Sequence, residues 1–141
     1  MRPASVAVLP FQVVGPPDST NVPFRNGLAE TISRRLAAMP GLRVAPPTPA
    51  DQLAGRSVRD IGRALGVELV LEGTLQCGAH RIRVTANLVD AALERSVMPV
   101  LRIERPSADL SSARDEIARA ICDRLARCTG MLIAGAAAVD C

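Results

Sequence analysis

Aromatic side chains are almost missing from this sequence: it has two Phe, one His, and neither Tyr nor Trp. Bases of a single-stranded nucleic acid would find no aromatic faces to stack on. Lysine is absent as well. All 17 basic residues are Arg, which reads as coding composition, and they are dispersed among 14 acidic ones for a net charge of only +3. Without a basic stripe, the electrostatic footprint of a nucleic-acid binder is missing too. Long hydrophobic runs are lacking. The apolar tail from Met131 to Val139 falls well short of the roughly 20 residues that span a bilayer. Met1 to Val14 lacks the charged start, long apolar stretch and small-residue cleavage site of a signal peptide. If the chain is complete, these absences place it in the cytoplasm; as a fragment of a longer protein it fits the cell envelope or periplasm equally. Cysteine is present, as Cys77, Cys122, Cys128 and Cys141, but never as Cys-x-x-Cys. Cys122 and Cys128 are six apart on an expected helix, where they point to different faces. That excludes a zinc pattern and leaves buried or incidental thiols, with no metal and no cofactor expected.

What the sequence does have is a clear hairpin. Leu69, Leu71, Gly73 and Leu75 alternate with Val70, Glu72, Thr74 and Gln76; Ile82, Val84, Ala86 and Leu88 then alternate with Arg81, Arg83, Thr85 and Asn87. A period of two marks half-buried strands with one core face and one polar face. Gly78, in the connection Cys77 to His80, is expected to supply a positive φ for the turn. The rest of the 141 residues suits one domain with an aliphatic core.

Ser5 to Phe11 is a continuous apolar run suited to a strand buried on both faces, followed by loop chemistry from Gln12 to Val22. A helix is expected from about Pro23 to Met39, with Asn21 as its cap, Phe24, Leu28, Ile32 and Leu36 on one face and Gly41 as its stop. Leu42 to Ala45 reads as a second strand. A brief helix starts at Thr48, Pro49 and Asp51; after Gly55 another begins at Ser57, with Val58, Ile61 and Leu65 inward and Gly66 as terminator. Val97 to Glu104 completes a meander, with Pro99 marking a sheet edge. The last helix runs from about Leu110 to Cys128, with Ile117, Ala120, Ile121 and Leu125 on its apolar face. Right-handed crossovers then give a three-layer α/β/α fold with a mixed five-stranded sheet of order 2-1-3-4-5, strand four antiparallel. Residues 1–128 form the single domain and 129–141 an apolar tail.

The motifs Val6-Ala7-Val8-Leu9-Pro10-Phe11, Gly27-Leu28-Ala29-Glu30, Leu42-Arg43-Val44, Ile61-Gly62-Arg63-Ala64-Leu65-Gly66-Val67, Leu71-Glu72-Gly73, Arg81-Ile82-Arg83-Val84-Thr85-Ala86, Leu88-Val89-Asp90 and Asp115-Glu116-Ile117-Ala118, in this order, closely resemble the TolB-like amino-terminal domain over about Ser5 to Ala126. The resemblance implies a mixed α/β sheet like that of anticodon-binding domains. It also implies an accessory binding or regulatory role without a catalytic centre, beside cyclase, winged-helix, kinase or tetratricopeptide modules or in the Tol envelope system. Where many relatives have a Gly-containing turn after the residue at position 90 and then Leu-Trp, this chain has Ala91-Ala92-Leu93-Glu94 and Val97-Met98, so a partner contact made by that Trp is absent.

Catalysis has little support in the residues. His80 reads as a surface turn histidine without a nucleophile at motif spacing, Glu68 and Glu72 as solvated strand positions, and Asp115-Glu116 as helix-start chemistry. No phosphate-cradling glycine motif follows the first strand. Two places remain for binding. One is the outward face of the meander, with Glu72, Thr74, Gln76, Arg81, Arg83, Thr85, Asn87, Arg102 and Glu104 as candidate contacts to a protein partner or a linked signalling module. The other is a small-ligand crevice at the carboxyl ends of strands one and three, lined by Phe11, Gln12, Val13 and Thr74.

Overall fold

The computed structural model describes residues 4–15, 21–46, 50–53 and 55–133, without the side chains of 21, 50, 51 and 129–133. Five consecutive buried residues form the interior strand β1 (Ala4–Val8). The strand does not continue to Phe11 as expected, because Pro10 has no N–H for a ladder. The chain jogs there and resumes as the two-residue β2 (Gln12–Val13). Helix α1 (Asn21–Ala37) buries Phe24, Leu28, Ile32 and Leu36, the stripe that their spacing implies. β3 (Leu42–Val44) follows and pairs in parallel with β1.

The short α2 (Ala50–Leu53) precedes α3 (Val58–Leu65). The Thr48–Pro49 start expected for α2 lies outside the described residues, as does the Asn21 side chain expected to cap α1. α3 has both of its expected ends. The Asp60 N–H donates to Ser57 Oγ at 3.1 Å. At the other end Gly66 takes φ 67°, which only glycine adopts freely, so that its N–H and that of Val67 reach the carbonyls of Arg63 and Gly62.

β4 (Leu69–Cys77) and β5 (Arg81–Asp90) form the expected antiparallel hairpin, in register from Leu69↔Asp90 to Cys77↔Ile82. Gly78 corrects one expectation, since it is not among the residues of positive φ. The turn is closed instead by the Gly78 N–H donating to Arg81 O at 2.8 Å, and it is propped from outside by Ser107, whose N–H and hydroxyl reach the carbonyls of His80 and Ala79. The third strand of the meander is split into β6 (Arg95–Ser96) and β7 (Leu101–Pro106), both antiparallel to β5. Pro99 sits in the gap rather than in the edge strand. Val97 N bonds Leu88 O at 2.8 Å and Met98 is buried, which pins the interruption to the core.

The sheet runs β3-β1-β4-β5 with β6 and β7 beyond β5, and β2 extends β1 along β4. This is the expected order, 2-1-3-4-5 with the fourth strand antiparallel, plus two short additions. On one face α1 and the last helix, α4 (Leu110–Ile133), cover the main core, which includes Val6, Leu71, Ile82, Leu88, Ile117 and Ile121. On the other face α3 covers only the β1 end, packing Ile61 against Ala7, Val70 and Ala91. Cys122 and Cys128 do not point to different faces: both enter the main core, near Ile32 O and Met98 Sδ respectively, each at 3.9 Å. Burial pushes the Cys122 thiol up to about 11.

Asp109, which sequence reasoning passed over, caps α4. Its Oδ1 accepts the Ser112 N–H at 3.2 Å and its Oδ2 the Ser112 hydroxyl at 2.9 Å, and these bonds hold its carboxyl below the ordinary value of 3.8. A depressed carboxylate stabilises the fold above its unfolded pKa, and the contribution is lost as the pH falls through its folded value. Asp109→Ala is therefore expected to melt lower than the parent at neutral pH. The gap between the two melting curves, followed by circular dichroism, should narrow below about pH 4. A gap independent of pH would rule out the charged cap.

Candidate functional site

Beyond Val70 no helix among the described residues covers the second face of the sheet, and the ladder register sets its side chains in cross-strand rows. Gln76, Arg83 and Glu104 make one row; Thr74, Thr85 and Arg102 make the next; Glu72 stands opposite Asn87 in the third. All the sequence-predicted partner-face residues thus share one surface, as period-two alternation requires. They are held by one another. Thr74 and Thr85 share a hydroxyl hydrogen bond of 2.6 Å, and the Thr74 N–H donates to Thr85 Oγ1 at 3.1 Å. Arg83 Nε lies 2.6 Å from Glu104 Oε1, and Arg81 Nη1 lies 3.3 Å from Glu104 Oε2. With the arginines 67% and 64% exposed and the glutamate 42%, these ion pairs contribute only about 0–1 kcal/mol to stability. They set two guanidinium groups beside one carboxylate on this surface. Asn87 Oδ1 is buried on this face with no hydrogen-bond partner among the described residues.

Of the residues assigned to the crevice, Gln12 and Thr74 are ladder neighbours, but Phe11 does not share their surface. Phe11 is fully buried in the main core on the helical side of the sheet. Gln12 and Val13 are β2, paired with Thr74 and Leu75, so that the gap at the carboxyl ends of β1 and β4 is occupied by a strand. Gln12 extends the row of Thr74, Thr85 and Arg102 instead. Nothing in the apolar run ahead of it signals that the chain would sidestep at Pro10.

Groups with acid–base potential are dispersed. His80 is exposed at the turn. Asp115 and Glu116 each lie 3.8 Å from an arginine, Arg114 and Arg105 respectively. Among the described residues no three His, Cys, Asp or Glu side chains are grouped to hold a metal, and no helix is long and apolar enough to cross a membrane.

No protein-family model matches the chain. A protein described as putative adenylate cyclase 3 of Rhizobium meliloti (strain 1021) is 32% identical over 124 residues, which are 86% of this chain and 21% of the cyclase's length. Among solved structures, lipoprotein GNA1162 from Neisseria meningitidis aligns with a TM-score of 0.60 at 18% identity, covering 88% of this chain and 97% of that one. TolB from Acinetobacter baumannii aligns with a TM-score of 0.53 at 15% identity, covering 86% of this chain and 28% of TolB. The chain therefore has a TolB-like fold.

Proposed function

We propose that this domain is a non-catalytic protein-interaction module that serves a regulatory or sensory role in a bacterial signalling or cell-envelope protein. The observation that supports the reading is the polar face of β4, β5 and β7, which no helix among the described residues covers. The cyclase relative supports a modular setting, since the matched region is a minor part of a much longer protein. The dispersal of His80, Asp115 and Glu116 supports binding over turnover, because acid–base chemistry needs such groups within hydrogen-bond reach of one another or of one reacting atom.

The test is site-resolved photo-crosslinking in cells, with the crosslinker at Thr85 or Arg102 and, as a control, at exposed Glu30 on α1. One protein, or one segment of a longer parent, should be captured from the sheet positions and not from Glu30. Binding of that species, once purified, should weaken about tenfold or more in Arg81→Glu/Arg83→Glu, since charge reversal at a complementary surface costs more than a kcal/mol. Both side chains are exposed, so the melting curve should fall only slightly, through loss of the two Glu104 ion pairs and the new like-charge contact. Unchanged affinity in the double variant, or crosslinks from α1 alone, would sink the choice of face.

A further inference from the structure

A second concavity lies at the opposite end of the sheet, where the parallel strands begin. It has a volume of about 600 Å³, within the usual range for small-molecule sites, and is walled by Arg43 of β3, Arg59 and Arg63 of α3, and Ser5 of β1. Small residues line it, Gly62, Gly66, Ala91 and Ala92; a side chain added at Gly66 would meet nothing within 4 Å, whereas one at Gly62 would lie 2.4 Å from Ala91 Cβ, so Gly62 lets α3 pack closely on Ala91.

Three guanidinium groups line this cleft and outnumber the acids beside them, Glu68 on the wall and Glu94 paired with Arg59. Arg59 and Arg63 are four residues apart on one helix, a spacing at which like charges repel. Arg59 is anchored by its Nε, 3.2 Å from Ala92 O and 3.5 Å from Glu94 Oε1. Arg43 is anchored by a hydrogen bond from Nη2 to Gly66 O. Each anchor uses one end of the fork and fixes its orientation. Glu68, also on the wall, leaves the cluster net positive.

The floor supplies an independent sign. Ser5, 4% exposed, is the buried polar side chain among the described residues. Its Oγ accepts the Glu68 N–H at 2.9 Å, while its hydroxyl proton has no acceptor among the described residues. The nearby backbone N–H groups of Gly66, Val67 and Ala91 are already used in hydrogen bonds. Any ligand is therefore recognised by side chains: three arginine forks and one buried hydroxyl donor. Oxyanions with several acceptor oxygens match that set, since guanidinium groups bind them bidentately.

We infer that this cleft binds a small phosphate-bearing molecule through Arg43, Arg59, Arg63 and Ser5. The volume admits more than a bare phosphate. Both phenylalanines are in the core, so no aromatic ring is there to stack on a base, and recognition is by charge and oxygen geometry. The site is remote from the meander face and does not depend on the interaction role proposed for it.

The experiment is a titration of the 141-residue chain, labelled with nitrogen-15, with sodium pyrophosphate, inorganic phosphate and citrate at constant ionic strength. Pyrophosphate should shift the backbone signals of Ser5, Gly62, Gly66 and Glu68 and the Nε signals of Arg43, Arg59 and Arg63, leaving Arg81 and Arg83 still. Arg59→Gln/Arg63→Gln should weaken the pyrophosphate Kd about tenfold or more, the loss expected for removing charge-assisted hydrogen bonds, with an unchanged melting temperature. Ser5→Ala, which keeps both charges, should give a smaller loss. Shifts spread equally to Arg81 and Arg83, or a double variant that binds as the parent does, would overturn the site. Citrate binding as tightly as pyrophosphate would overturn the phosphate assignment.

Discussion

Gly73→Ala is expected to destabilise the fold by on the order of 3 kcal/mol or more, enough to remove a large part of the stability of a single domain. A methyl group on Gly73 would lie 2.0 Å from Thr85 O and 3.0 Å from Phe11 Cε2. The ring could give way. The carbonyl could not, because Thr85 belongs to the β5 backbone facing Gly73 across the longest ladder of the sheet, and moving it means opening the register that also sets the polar face. Urea titration of the parent and the variant measures the loss. Phe11→Leu added to Gly73→Ala separates the two obstacles: relief of the ring contact should leave most of the loss in place. A Gly73→Ala protein with parental stability would mean that β4 and β5 do not approach this closely.

The hairpin was legible because alternation is a local property. Each of Leu69, Leu71, Ile82 and Val84 declares its face by its neighbours, and the face of Thr74, Thr85 and Arg83 follows from the same count. The strand order was legible for a related reason, since two crossovers of one hand and a meander leave little freedom. What escaped is what depends on distant contacts or on one backbone group. Pro10 stands in an apolar run that reads as one strand, and only its missing N–H breaks the run in two. Pro99 does the same on the other edge. The turn at Gly78 needed no unusual φ because Ser107, far along the chain, supports it. Cys122 and Cys128 looked divergent on an isolated helix, yet α4 is embraced by both α1 and the sheet, so its buried arc is wide enough for both. The arginine cleft was invisible for the plainest reason: Arg43 and Arg59 are brought together by β3 and α3 meeting at the foot of the sheet, and each alone reads as a solvated charge.

The same limit governs Phe11 and Gln12, adjacent residues that sequence reasoning assigned to one crevice and that the fold sends to opposite sides. Phe11→Ala is expected to cost about 3–5 kcal/mol, the range for emptying a fully buried aromatic site. The ring is 0% exposed and its edge lies against Gly73, where backbone on both sides cannot collapse to fill the space. Gln12→Ala, one residue on, removes an exposed side chain and should stay within about 0.5 kcal/mol. Both are read from urea titrations analysed with a common slope, since a changed slope would signal a loosened native state rather than a simple cavity. The contrast decides where the ring is. A loss for Phe11→Ala no larger than that for Gln12→Ala would put the phenyl group in an open crevice, restoring a ligand pocket at the carboxyl ends of β1 and β4. A large loss confined to Phe11 means that β2 has closed that end with packed side chains, which argues against a ligand there and leaves the proposals for the polar face and the arginine cleft untouched.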